Sequence, residues 1–144
     1  MIEKILVVCE GNVCRSPMAA ALLSVTPGGH KVTSAGWNAM VGAPAAPFAR
    51  EIMQARGMNI DAHRGRQLGL PDCIHADLIL VMDRRQRELI EREYPLARGK
   101  IFRLGEHRNI DVDDPFRQPR AVFERCAHLI EVCVADWQTR LKTL

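Results

Sequence analysis

Eight consecutive residues, Cys9-Glu10-Gly11-Asn12-Val13-Cys14-Arg15-Ser16, set a thiol at one end of a short loop and a guanidinium near the other. That arrangement suits an oxyanion. Backbone N–H groups converging ahead of a helix bind a dianion through the amides and the positive end of the helix dipole. A cysteine held in the same field is favoured as the thiolate, the form that attacks. Gly11 lets the backbone approach an anion and enter positive φ, and Asn12 is one of the few other residues that tolerate the left-handed region. Arg15 keeps its charge at physiological pH, and its planar fork holds two oxygens at once, which lysine does not do. A lone cysteine after a strand is more often a small core residue. The Cys-x5-Arg-Ser spacing, with Gly and Asn inside it, points instead to phosphate chemistry.

The flanking segments supply the geometry. Lys4-Ile5-Leu6-Val7-Val8 reads as a strand buried on both faces and ending at Cys9. Ser16 is expected as the N-cap and Pro17 as the first residue of a helix through Met18-Ala19-Ala20-Ala21-Leu22-Leu23. Further on, the patterns predict strands near 31–33, 78–81 and 100–103, and helices over 47–56, 83–93 and 121–141, with Asp83 and Gln86 as a capping box. Alternation of this kind predicts an α/β fold: a three-layer, doubly wound sheet of four parallel strands with helices on both faces. Ligands of such sheets sit beyond the strand C-termini, where Cys9 lies. At 144 residues the chain is expected to be one domain spanning 1–144.

With its loop and a late Asp114-Pro115-Phe116, the chain resembles the low-molecular-weight protein tyrosine phosphatases over nearly its whole length. The resemblance implies that Cys9 attacks phosphorus, that Arg15 and the backbone amides of Glu10, Gly11, Asn12, Val13, Cys14 and Arg15 bind the phosphoryl oxygens, and that Asp114 protonates the leaving phenol and then activates water. No metal and no cofactor is implied. On the residues alone Asp113 competes for the acid role, because Asp-Pro is common in turns; the family pattern selects Asp114. It also implies that Asn12, Ser16, Ser34 and His63 hold the loop's shape, that Trp37 and Phe116 wall a slot for an aryl phosphate, and that Cys9 and Cys14 join reversibly under peroxide. Animal members carry two tyrosines after the Asp-Pro, where this chain has Phe116-Arg117. The bacterial members are the nearer likeness, implying a phosphotyrosine protein as partner, such as a tyrosine kinase controlling exopolysaccharide production, and inorganic phosphate as product.

The remaining composition narrows the field. A formal charge of +3 with dispersed basic residues gives nucleic-acid binding no support. No apolar stretch approaches a membrane span, and Met1-Ile2-Glu3-Lys4 leads directly into the first strand, so a cytoplasmic protein is expected. The five cysteines then read as reduced thiols without zinc-type spacing. An arsenate reductase on the same scaffold needs a relay of further cysteines in its middle segment, whereas Cys126 and Cys133 lie in the closing helix. A cysteine phosphocarrier has no use for Arg15 or Asp114. Glu10 departs from the family's usual apolar residue and is expected to repel acidic substrates. Glu10→Leu should therefore raise kcat/KM for acidic phosphopeptides, and an unchanged value refutes that role.

Overall fold

The apolar run after Lys4 forms β1 (Lys4–Cys9), buried at every position but the first. A computed structural model of the chain describes residues 1–143. Around β1 it sets β2 (Lys31–Gly36), β3 (Leu78–Val81) and β4 (Ile101–Arg103) in the order β2-β1-β3-β4, all parallel. Side chains alternate across the sheet. Ile5, Val7, Leu78 and Leu80 face one layer, built from α1 (Arg15–Ser24), α2 (Pro47–Ala55) and α5 (Arg120–Lys142) through Met18, Leu23, Ile52, Met53, Phe123, Ile130 and Trp137. Leu6, Val8, Ile79 and Val81 face the other, where Cys73 of α3 (Leu70–His75) and Ile90 of α4 (Arg84–Glu93) complete a smaller core. Burying each large aliphatic side chain contributes about 1.5–3 kcal/mol. β1 and β3 each line both cores.

Register at the lower end of the sheet is clamped by one carboxylate. Asp77 accepts the Glu3 and Lys4 N–H groups, each at 2.9 Å, while its own N–H donates to the Lys4 carbonyl at 2.8 Å. Those bonds to Lys4 and Glu3 hold its carboxyl below the usual carboxylate range. Its contribution is complete above the ordinary carboxylate pKa and is lost as pH falls through the depressed one.

Three local features depart from expectation. Helix α1 begins at Arg15 with Cys14 at the cap and no side chain capping it, so Ser16 is not the N-cap and Pro17 stands in the third helical position. Proline is tolerated there because that N–H has no intrahelical acceptor. Helix α3 is an addition: too short for an apolar period, it is started by Pro71 and by Asp72, whose carboxylate accepts the Gly69 N–H at 2.8 Å. At α4 the capping box is split. Asp83 accepts the Gln86 N–H at 2.8 Å, but Gln86 Oε1 accepts from Met82 rather than from Asp83.

Beyond Cys9 the chain stays tied to β2: Trp37 N–H donates to Cys9 O and Asn38 N–H to Glu10 O, both at 2.9 Å. That closeness requires Gly36, because a Cβ there would lie 2.7 Å from Glu10 O and 2.9 Å from Ala39. Gly36→Ala is expected to cost about 1–3 kcal/mol through overpacking, read as a lower urea midpoint with the m-value unchanged; wild-type stability would show that the two loops can part freely.

Candidate active site

Strand order decides which loops meet. The chain steps from β1 to β2 on one side and then to β3 on the other, so a crevice opens beyond the C-termini of β1 and β3. Three segments converge there: the 10–14 loop, Met82-Asp83 after β3, and the stretch after β4 that carries Asp114. Val112 N–H donates to Met82 O at 2.8 Å, seating the last of these against β3. The same stretch is braced by Arg103, 6% exposed, which reaches Glu106 and Asp111 at 3.0 Å each and Asn109 at 2.7 Å. Burial pulls the Arg103 guanidinium down, but the bonds to Asp111 and Glu106 outweigh it and hold it above its ordinary value.

Asn12 organises the first loop. It is fully buried and lies at φ +60°. Its Nδ2 donates to Ser16 Oγ at 2.7 Å and to Ser34 Oγ at 3.0 Å, and its Oδ1 accepts the Arg66 N–H at 2.9 Å. His63 Nε2 stands 2.6 Å from the Asn12 carbonyl. Cys9 Sγ accepts the Asn12 N–H at 3.2 Å and lies 2.9 Å from Ser16 Oγ. With a lone pair of that hydroxyl occupied by Asn12, its proton is free to point at the sulfur. Ser16 lies inside α1 and gives its hydroxyl to this network, and with no side chain capping the helix its first N–H groups are left open to an anion.

Arg15 is 3% exposed. Nη1 donates to Val112 O at 2.8 Å and stands 3.7 Å from Asp83 Oδ2, while Nη2 is 3.6 Å from Asp114 Oδ2. Its Nε is buried and has no partner among the described residues. Neither carboxylate is in close contact, so the guanidinium is charge-balanced without having its donors used up. A buried, under-satisfied donor on a cation is the signature of a site for a further anion. The cavity beside it, about 160 Å³, is lined by Cys9, Glu10, Gly11, Val13, Cys14, Asn38, Met40, Asp114 and Phe116. Asp114 Oδ1 accepts the Phe116 N–H at 3.1 Å, which fixes the carboxylate beside the aromatic wall.

The family model for the low molecular weight phosphotyrosine protein phosphatases matches residues 4–144. The chain belongs to that family. It is 45% identical over 144 residues to a probable low molecular weight protein-tyrosine-phosphatase, EpsP, of Ralstonia nicotianae, covering all of this chain and 99% of the relative. The Escherichia coli phosphatase Wzb is 37% identical over 98% of this chain and 97% of its own. Among solved structures, Wzb from Escherichia coli with sulphate superposes at TM-score 0.94 with 33% identity, covering 98% and 99% of the two chains. The YwlE arginine phosphatase from Geobacillus stearothermophilus superposes at 0.92 with 34% identity, covering 98% and 94%.

In this low-molecular-weight phosphatase, Asn12, Ser16, Ser34 and His63 form one connected network around Cys9, and Arg15 and Asp114 are brought within ion-pair range. Trp37 is elsewhere. It shares parity with Ala35 and, following β2, packs on the smaller core, so Asn38 and Met40 wall the cavity in its place. Gly11 does not take positive φ; Asn12 alone does so in this loop. Asp83, read from sequence only as a helix cap, also faces Arg15. Cys9 and Cys14 are both free thiols. Burial, reinforced by Asp114 and Cys9, pushes the Cys14 thiol far above its ordinary range, and burial pushes Cys126 up to about 12. Both are therefore uncharged near neutrality.

The two contributions of Asn12 separate by substitution. Asn12→Gly removes the amide but keeps the backbone angle, with an expected loss of about 1–3 kcal/mol. Asn12→Ala should lose about 1–2 kcal/mol more, the cost of φ > 0 for a residue with a Cβ. Chemical denaturation of the two variants checks this; equal stabilities would mean that the backbone angle carries no strain.

Proposed function

We propose that the chain hydrolyses phosphotyrosine on proteins by a two-step route through Cys9, Arg15 and Asp114. One observation carries the proposal: a buried Arg15 fork, with Nε unpartnered, between a cysteine loop and a carboxylate. In the first step Cys9 Sγ attacks phosphorus in line, the phosphorus–phenolic oxygen bond breaks, and Asp114 delivers a proton to the leaving oxygen. The Asn12 N–H and Ser16 hydroxyl meet the charge of the attacking sulfur. Arg15 and the amides of residues 10–15 stabilise the equatorial oxygens, whose charge is held by preorganised donors rather than by water. In the second step Asp114 takes a proton from water, whose oxygen attacks phosphorus; the sulfur–phosphorus bond breaks, Cys9 leaves as the thiolate and inorganic phosphate is released.

The partner is a phosphotyrosine protein. A cytoplasmic bacterial tyrosine kinase of an exopolysaccharide system fits the likeness to EpsP and Wzb. Among the described residues no helix is long and apolar enough to cross a membrane. The likeness to YwlE raises phosphoarginine as a second substrate, against which the aromatic wall of Phe116 favours an aryl ester.

Turnover of p-nitrophenyl phosphate, a phosphotyrosyl peptide and a phosphoarginyl peptide, without added metal, tests the proposal. Wild type should prefer the phosphotyrosyl over the phosphoarginyl peptide, Cys9→Ser should lose turnover, and Asp114→Asn should drop by about 10²–10⁴ on the peptide. Full activity in Cys9→Ser would overturn the mechanism. Preference for phosphoarginine would overturn the substrate class.

A further inference from the structure

Arg117 occupies a backbone position that few side chains adopt. It is exposed, it lies at φ +64°, and the turn it belongs to, closed by Gln118 N–H to Pro115 O at 2.9 Å, favours glycine there. A non-glycine residue in such a region persists where its side chain is wanted. The guanidinium makes no ion pair among the described residues. Instead its central carbon stands 5.2 Å from the ring centroid of Phe116, the aromatic wall of the cavity. Stacking there fixes an otherwise mobile cation at the mouth.

Glu10 belongs to a different wall of the same cavity. Its residue lines the cavity, its side chain is exposed, and it too makes no ion pair among the described residues. Glu10 is tied to the segment after β2 through Asn38, whereas Phe116 packs on the larger core just ahead of α5. The mouth therefore carries a free negative charge on the wall formed by the phosphate loop and a free positive charge stacked on the Phe116 wall. Asp113, although on the second loop, does not line the cavity.

We infer that Glu10 and Arg117 read the direction of the substrate chain, placing a basic flank of the phosphotyrosine against Glu10 and an acidic flank against Arg117. The inference rests on the phosphotyrosine reading above. A phosphotyrosine side chain filling the cavity leaves the preceding and following residues spread over the mouth towards different walls. One order of charges then meets two attractions and the reverse order two repulsions. These are solvent-exposed interactions, so they act through KM and association and weaken with salt.

Two phosphotyrosyl peptides of identical composition test it, one with Asp-Asp before and Lys-Lys after the phosphotyrosine, the other with these exchanged. Wild type should cleave one order about 5–10-fold better in kcat/KM, chiefly through KM, with the ratio shrinking in 0.5 M NaCl, roughly as expected for several exposed pairs. Glu10→Arg combined with Arg117→Glu should invert the ratio. Arg117→Glu alone, which keeps a non-glycine residue at the same φ, should bring it to one or below. Because each result is a ratio within one protein preparation, a general loss of activity does not mimic it. Equal rates for the two orders in wild type, or a ratio unchanged in Arg117→Glu, would overturn the inference. Failure of wild type to cleave either peptide would overturn the phosphotyrosine reading instead.

Discussion

The site depends on the hydrogen bonds of one buried amide. A loop whose N–H groups all aim at one point is a set of aligned dipoles that repel each other, and it needs an outside hold to keep that shape. Asn12 supplies the hold at the loop's most demanding angle, gripping Ser16 within α1, Ser34 in β2 and the Arg66 N–H, while His63 secures its carbonyl. Because these partners come from separate parts of the chain, the loop is rigid only when the sheet and its connections are in place. The packed cores on either side of β1 are in that sense the support for a cluster of backbone amides.

Electrostatic balance is the second constraint. A guanidinium as buried as Arg15 needs compensation, and close pairing with one carboxylate would consume the donors it offers. Here two carboxylates stand at 3.6–3.7 Å and a carbonyl takes one N–H, leaving Nε and its edge of the fork uncommitted. Cys14 and Cys126, kept neutral by burial, add no competing negative charge nearby. The cavity stays receptive to a dianion.

Legibility in the sequence followed the range of the interactions. Cys9 to Ser16 could be read because strand, loop and helix are consecutive, and the four strands because apolar runs mark them. The place of Asp114 came from the family pattern, since nothing local separates it from Asp113. Ser16 looks like a cap because a serine before Pro17 usually is one, but α1 starts at Arg15, and the hydroxyl joins partners that local reading does not see. The family resemblance assigns Trp37 to a loop that borders the pocket, but the alternation of β2 decides its side. Carried on to Gly36, that alternation puts Trp37 with Ala35 on the smaller core. The second contact of Asp83 arises from strand order alone, and α3 is too short to leave a period.

The bond from Arg15 to the Val112 carbonyl joins residues 97 positions apart. During synthesis the phosphate loop emerges from the ribosome early, long before the stretch that completes it. A chain stopped ahead of β4 would carry the nucleophile and the guanidinium without the acid. Contacts of such long sequence separation form late and slow the search for the native state. Competence for the whole reaction thus coincides with completion of the fold.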